Sequence, residues 1–120
     1  MATVTNAGTG TLTTLMVSTG SSLVLPQFQS TSLLQNSSVT VSGSGHTVLF
    51  LGRVETTNNG QCQVEIDVDD VAVYGGAAGE NIIARMVLSS GSHTIKFSAF
   101  ALSNDVEAEV FGLTIVDLGL

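Results

Sequence analysis

Four acidic side chains form the densest group of titratable residues in the chain: Glu65, Asp67, Asp69 and Asp70. A calcium site takes about six to eight oxygen ligands, and the cluster lacks the glycine and the spacing of an EF-hand loop. Glu65 and Asp67 alternate with apolar residues, which predicts that both lie on the solvent face of a strand. We therefore expect no metal, with these four residues as the weak candidates and a cation shared between subunits as the alternative.

Two histidines occupy matching positions, each after a Gly/Ser turn and before a Thr. His46 and His93 could be metal ligands or bases, but their positions favour hydrogen bonds to the turn backbone. A nucleophilic serine needs a recognisable elbow, and no Gly-x-Ser-x-Gly sequence occurs. Cys62 is the single cysteine and has no cationic neighbour, so a buried thiol is predicted. No catalytic group assembles, and we expect neither enzyme activity nor a cofactor.

The glycine-rich segments and the aromatic residues point to no further site. Residues 8–10 and 75–79 are not followed by a helical pattern, so neither is a phosphate-binding loop, and 75–79 is predicted to be a flexible loop. Sugar-binding β-sandwiches commonly display Trp or Tyr, whereas this chain has no Trp and only Tyr74. The Phe residues mostly fall within strand patterns and are predicted to be core or subunit interface: Phe28, Phe50, Phe97, Phe100 and Phe111.

These residues belong to a chain that consists almost wholly of predicted strands. Valine is the commonest residue at fifteen, Ser and Thr add twenty-eight, and no window shows a sustained helical stripe. Asp69 and Asp70 are predicted to form a two-residue turn because the apolar phase flips after them, and Asn-Asn-Gly at 58–60 predicts another hairpin. The predicted strands cover 11–18, 22–25, 39–41, 47–55, 61–68, 81–88, 93–101 and 106–117.

Strands at this spacing indicate an all-β domain, a jelly-roll β-sandwich. An internal echo supports two layers. Ser-Gly-Ser-Gly-His-Thr-Val-Leu-Phe, which ends at Phe50, resembles Ser-Ser-Gly-Ser-His-Thr-Ile-Lys-Phe, which ends at Phe97. We expect an N-terminal arm or edge strand over residues 1–22 and the sandwich domain over residues 23–120.

Charge is scarce and unevenly placed. The 120 residues are 11% charged, with ten acids and three bases for a net charge of −7, and the first 52 residues carry none. Three bases cannot neutralise a run of phosphates, so nucleic-acid binding is not expected. No apolar run approaches the roughly 18 residues of a membrane span, and no signal peptide is visible. High apolar content with few charges favours self-association or docking onto a larger assembly, with the uncharged half against protein and the charged half in water. The alternative is a monomer whose surface is covered by Ser, Thr, Asn and Gln.

The second half of the chain resembles a known group of domains. Three segments show the resemblance: Val-Glu-Ile-Asp-Val-Asp-Asp-Val-Ala-Val at 64–73, Arg-Met-Val-Leu-Ser-Ser-Gly-Ser-His-Thr-Ile-Lys-Phe at 85–97 and Leu-Thr-Ile-Val-Asp-Leu-Gly at 113–119. Together they resemble small jelly-roll domains of tailed bacteriophage virions, including tumour necrosis factor-like trimeric head decoration (cement) proteins and fibre tips. The resemblance covers residues 47–120.

This resemblance implies a homotrimeric virion protein that binds and stabilises the assembled shell of the major capsid protein. Such a protein would be made in the host cytoplasm and would lie on the capsid exterior. Because the first 25 residues carry no charge, we expect them to contact the capsid through four apolar residues: Leu12, Leu15, Met16 and Val17.

Two other classes stay open. A receptor- or glycan-binding module at a phage fibre tip would need an exposed polar-aromatic site, for which Tyr74 with Asn81 is the best pair in the sequence. A cellular adhesion or matrix module ought to carry a signal peptide.

Overall fold

The computed structural model describes residues 12–18, 21–34, 37–57 and 60–120, and these residues form ten β-strands. No helical segment within these ranges has the length and hydropathy of a membrane span. The all-β class expected from the sequence is confirmed. The strands are β1 (Thr13–Val17), β2 (Ser21–Leu25), β3 (Ser30–Ser32), β4 (Val39–Gly43), β5 (His46–Thr56), β6 (Cys62–Val68), β7 (Val71–Ala77), β8 (Asn81–Leu88), β9 (Gly91–Ala101) and β10 (Val106–Asp117).

The strands form two antiparallel sheets that share one arrangement. In sheet A, β10 pairs on one side with β5, which continues to β8, and on its other side with both β1 and β2. In sheet B, β9 pairs on one side with β6, which continues to β7, and on its other side with both β3 and β4. The two sheets make a β-sandwich of the jelly-roll kind, as predicted.

The core lies between the sheets and follows from the two-residue period of each strand. In β6, Val64 and Ile66 are buried, whereas Gln63 and Glu65 are exposed on the outer face. Cys62 is buried in the same row, as expected, and burial raises the pKa of its thiol above the ordinary value.

The internal echo of the sequence places matching residues on opposite sheets. His46 begins β5 in sheet A, and His93 lies near the beginning of β9 in sheet B. Phe50 and Phe97, which follow them, are fully buried and meet in the core with ring centroids 6.4 Å apart and planes at 67°. The repeated sequence therefore identifies β5 and β9, whose Phe50 and Phe97 rings pack against each other between the two sheets.

One predicted turn is confirmed and one predicted loop is wrong. Asp69 and Asp70 both have positive φ, 51° and 66°, as a two-residue type I′ hairpin requires. The expected loop at 75–79 instead continues β7 through its two glycines to Ala77. A Cβ at Gly76 would lie 2.4 Å from the hydroxyl of Tyr74, so a larger residue there would require the Tyr74 side chain to move. Residues 58 and 59 of the other predicted turn lie outside the described residues.

The described part of the N-terminal region forms sheet edges. β1 and β2 lie one after the other along β10, so this part is an edge strand pair rather than a free arm. Residues 1–11 lie outside the described residues. The expected boundary between residues 22 and 23 lies inside β2.

Candidate functional site on the outer face of sheet A

The outer face of sheet A carries apolar side chains on several neighbouring strands. Residues in register on neighbouring strands point to the same side of a sheet, which places Ile83 beside Leu51 and Leu49 beside Val116. Among the described residues, six large hydrophobic side chains are exposed within strands, and five of them belong to sheet A. We define the apolar face by three exposed and three half-buried side chains: Val17, Ile83, Val87, Leu49, Leu51 and Val116.

Arg85 is the charged residue within this apolar face. It lies on β8 between Ile83 and Val87 and pairs in register with Leu49 of β5. It makes no ion pair with any of the residues that the structure describes. Apolar side chains flank Arg85 along β8 and on β5, and β8 is the outermost strand on that side of sheet A.

The polar end of the same outer face is already satisfied within the chain. The Arg53 guanidinium donates to the Glu55 carboxylate and, at 3.0 Å, to Oδ1 of Asn81. Glu109 pairs in register with Glu55 on the next strand. Sheet A therefore presents an apolar region beside a polar one.

The four predicted capsid-contact residues divide into two pairs. Leu12 and Val17 are 67% and 63% exposed. Leu15 and Met16 are half-buried and pack against the core, so they attach β1 to the sandwich. Only the first pair presents most of its surface to a partner, and contact with a capsid stays a prediction.

The acidic cluster is divided between sheet B and the neighbouring turn. Glu65 and Asp67 lie on the outer face of β6, and repulsion from Asp67 raises the pKa of the Glu65 carboxyl. Asp70 accepts a hydrogen bond from Nζ of Lys96 at 2.7 Å. Asp69 accepts one through Oδ1 from the backbone N–H of Thr94 on β9. Within the described ranges, no three side chains of His, Cys, Asp or Glu are placed to hold a metal ion.

His93 is held between two hydrogen-bond acceptors. Its Nδ1 lies 2.7 Å from Oδ2 of Asp69, and its Nε2 lies 2.7 Å from the carbonyl oxygen of Ser89. Since a carboxylate and a carbonyl can only accept, both ring nitrogens must donate, which is the imidazolium form. The hydrogen bond to Asp69 accordingly raises the pKa of His93, and the same bond lowers the pKa of Asp69.

His46 makes the equivalent contact in sheet A. Its Nδ1 donates to Oδ1 of Asp117 at 3.0 Å, and Asp117 is buried and also accepts from the N–H of Gly119 at 2.7 Å. The expected bond to the turn backbone occurs for His93, but sequence reasoning missed both carboxylate partners. Each aspartate belongs to a segment far from its histidine in sequence, and no local pattern indicates the pairing.

Tyr74 and Asn81 do not present the polar-aromatic pair expected for a glycan site. Tyr74 is half-buried against the core of sheet B, with its hydroxyl over Gly76. Asn81 lies on β8 of sheet A, and its side-chain oxygen is bonded to Arg53.

Comparison with solved structures finds a distant likeness. No family model matches the chain, and no curated protein matches it. Among solved structures, carbohydrate-binding module CBM36 in complex with calcium and xylotriose is similar to it over 89% of this chain and 98% of that one, with 14% identity and a TM-score of 0.47. A likeness this distant supports no conclusion about ligand or function.

Proposed function

We propose that the protein is a non-enzymatic structural subunit of a virion, a decoration protein that binds the assembled shell of the major capsid protein. The observation that carries the proposal is the apolar face of sheet A. Soluble proteins rarely leave a contiguous apolar surface in water unless it binds a partner. The virion itself rests on the sequence resemblance over residues 47–120.

The proposed function uses two contacts, one between copies of the protein and one with the capsid. The apolar faces of three copies pack around a symmetry axis, because closed rotational symmetry uses the same patch on every subunit. The N-terminal region, in which the exposed Leu12 directly precedes β1, contacts the capsid. Binding the assembled lattice but not its dissociated subunits stabilises the lattice by mass action. The protein acts on the capsid exterior after synthesis in the host cytoplasm.

Co-sedimentation with capsids tests the proposal. Heads of the same virus, assembled without this protein, are mixed with the purified full chain and pelleted. We expect the wild type to pellet with heads and Leu12→Asp to stay in the supernatant. Leu102→Asp, at another exposed leucine in the turn after β9, is the matched control and should pellet like the wild type.

Two results would contradict different parts of the proposal. If the wild type assembles into trimers but never pellets with heads, the capsid partner is wrong. If it is monomeric and pellets normally, the role of the apolar face is wrong.

A further inference from the structure

A shallow groove of about 640 Å³ crosses the outer face of sheet B, the side of the sandwich away from the apolar face. The register explains its shape. Gly75 and Ala77 on β7 and Ser98 on β9 are small, so the floor is low on both sides of β6. Gln63 and Glu65 of β6 project from the middle of that floor. The result is an open cleft with an amide and a carboxyl group at its centre.

Two aromatic rings extend one side of the groove. Phe100 of β9 lines it, beside Ser30 on β3. The ring of Phe28 lies against Phe100, with centroids 6.2 Å apart and planes inclined at 34°. Phe28 is 62% exposed to solvent. The two rings therefore form an aromatic surface next to the polar floor.

The backbone of Phe28 is held in an unusual conformation. Its φ is 57°, at the third position of a turn closed by the Gln29 N–H donating to the Pro26 carbonyl at 3.2 Å. That position normally takes glycine or asparagine. A bulky side chain at positive φ, with most of its ring in water, contributes little to folding. Backbone strain of this kind is concentrated at binding sites.

We propose that this groove binds a neutral oligosaccharide, with Phe28 and Phe100 as the stacking surface and Gln63, Glu65 and Ser98 as hydrogen-bonding partners. A pyranose ring has an apolar face that packs on an aromatic ring and hydroxyls around its edge that both donate and accept. The amide of Gln63 supplies both donor and acceptor, and the hydroxyl of Ser98 does the same. The cleft crosses neighbouring strands, so a short chain of sugars fits it better than one sugar.

Charge around the groove selects against acidic ligands. Glu65 lies in the groove with Asp67 next to it on β6, and their mutual repulsion raises the pKa of Glu65. No lysine, arginine or histidine is among the described residues that line it. A phosphate, sulfate or sialic acid would meet negative charge without a counter-ion. Nucleic acids and anionic glycans are thereby disfavoured, whereas a neutral sugar meets no such repulsion.

Calorimetric titration of the full chain tests this site directly. The probes are cellotetraose, mannotetraose, maltotetraose and chitotetraose, with a sialylated tetrasaccharide as the anionic probe. We expect at least one neutral tetrasaccharide to bind and the sialylated one not to bind. Phe28→Gly removes the ring and suits the positive φ, and it should weaken binding about tenfold or more. Gly75→Leu should abolish binding, because the leucine side chain would occupy the groove. The protein should still fold, since a Cβ at Gly75 meets no other atom within 4 Å.

Phe111→Ala is the matched control, since it removes an exposed ring on sheet A, and it should bind like the wild type. Failure of every neutral probe to bind at millimolar concentration would overturn the inference. Binding that is indifferent to both Phe28→Gly and Gly75→Leu, or that occurs only with the sialylated probe, would also overturn it. Because the site lies on sheet B, none of these results bears on self-association through sheet A.

Discussion

Replacement of Ile83 by aspartate should break the proposed self-association while the subunit stays folded. Ile83 is 65% exposed in the single chain and lies within the apolar face, beside Leu51. A polar side chain on an exposed strand face does not disturb the core, so the substitution affects the surface available to other copies. The same substitution in a monomeric protein would have almost no effect.

The magnitude follows from the area that a partner would cover. Complete burial of an Ile side chain contributes about 1.5–3 kcal/mol, so burying the exposed 65% contributes about 1–2 kcal/mol per subunit. Three subunits in a trimer then lose about 3–6 kcal/mol, which at about 1.4 kcal/mol for each factor of ten weakens association roughly 100-fold to 10,000-fold. The unpaired charge of the aspartate, carried into an apolar contact, weakens it further.

Analytical ultracentrifugation over a range of protein concentrations measures the effect, with circular dichroism to show that the variant is folded. Val71→Asp is the matched control, because Val71 is 64% exposed and also lies in a strand, but on sheet B. We expect trimers for the wild type and for Val71→Asp, and monomers for Ile83→Asp. The reasoning is refuted if Ile83→Asp associates like the wild type, or if the two variants lose association equally.

Three further outcomes concern stability and can be measured by urea unfolding. Gly43→Ala should lower the free energy of unfolding by about 1–3 kcal/mol, because its Cβ would lie 2.1 Å from the backbone oxygen of Ser89. Gly75→Ala has open space around its Cβ and should raise the free energy of unfolding by about 0.5–1 kcal/mol. Equal effects of the two substitutions would contradict the packing. The Phe28→Gly variant should be more stable to unfolding than the Phe28→Ala variant by about 1 kcal/mol, because φ is positive at this position. At most positions the alanine variant is the more stable one, and that order here would show that the turn relaxes. In the His93–Asp69 pair, the pKa of His93 is raised, so its contribution to the free energy of unfolding is complete below pH 6.5 and is lost as pH rises through its pKa in the folded protein. The pKa of Asp69 is lowered, so its contribution is complete above pH 3.8 and is lost as pH falls through its pKa in the folded protein. Asp69→Asn, which asparagine's tolerance of positive φ permits, should therefore flatten the loss of stability as pH rises above 6.5; an unchanged slope would mean that His93 is not the group responsible.

The strands and their buried faces could be predicted because they are local. In β6, alternation alone identifies Val64 and Ile66 as core, and the flip of phase after Asp69 and Asp70 identifies the hairpin. The run at 75–79 shows the limit of the same reasoning. Its glycines favour a loop locally, but pairing with β6 along the sheet edge decides the outcome, and strand formation depends strongly on such non-local neighbours.

The sites could not be predicted in the same way, because each is assembled from distant segments. Phe28 is separated from Phe100 by most of the chain, and its positive φ has no signature in the sequence. The apolar face did leave a signal. In β8, Ile82 and Ile83 are adjacent, so apolar residues occupy both phases of the strand, whereas a sheet with one face in water should alternate.

The absence of charge from the first 52 residues now has a different meaning. Those residues do not form one surface, because β1, β2 and β5 belong to sheet A while β3 and β4 belong to sheet B. The apolar face in turn takes Ile83, Val87 and Val116 from the charged half of the chain. Position in sequence therefore does not separate apolar from charged surface: sheet A carries the apolar face beside the charged group of Arg53, Glu55 and Glu109, and Glu65 with Asp67 lies on the outer face of sheet B. A protein partner is expected on the first and a water-borne ligand on the second, which is why variants on the two faces can be tested independently.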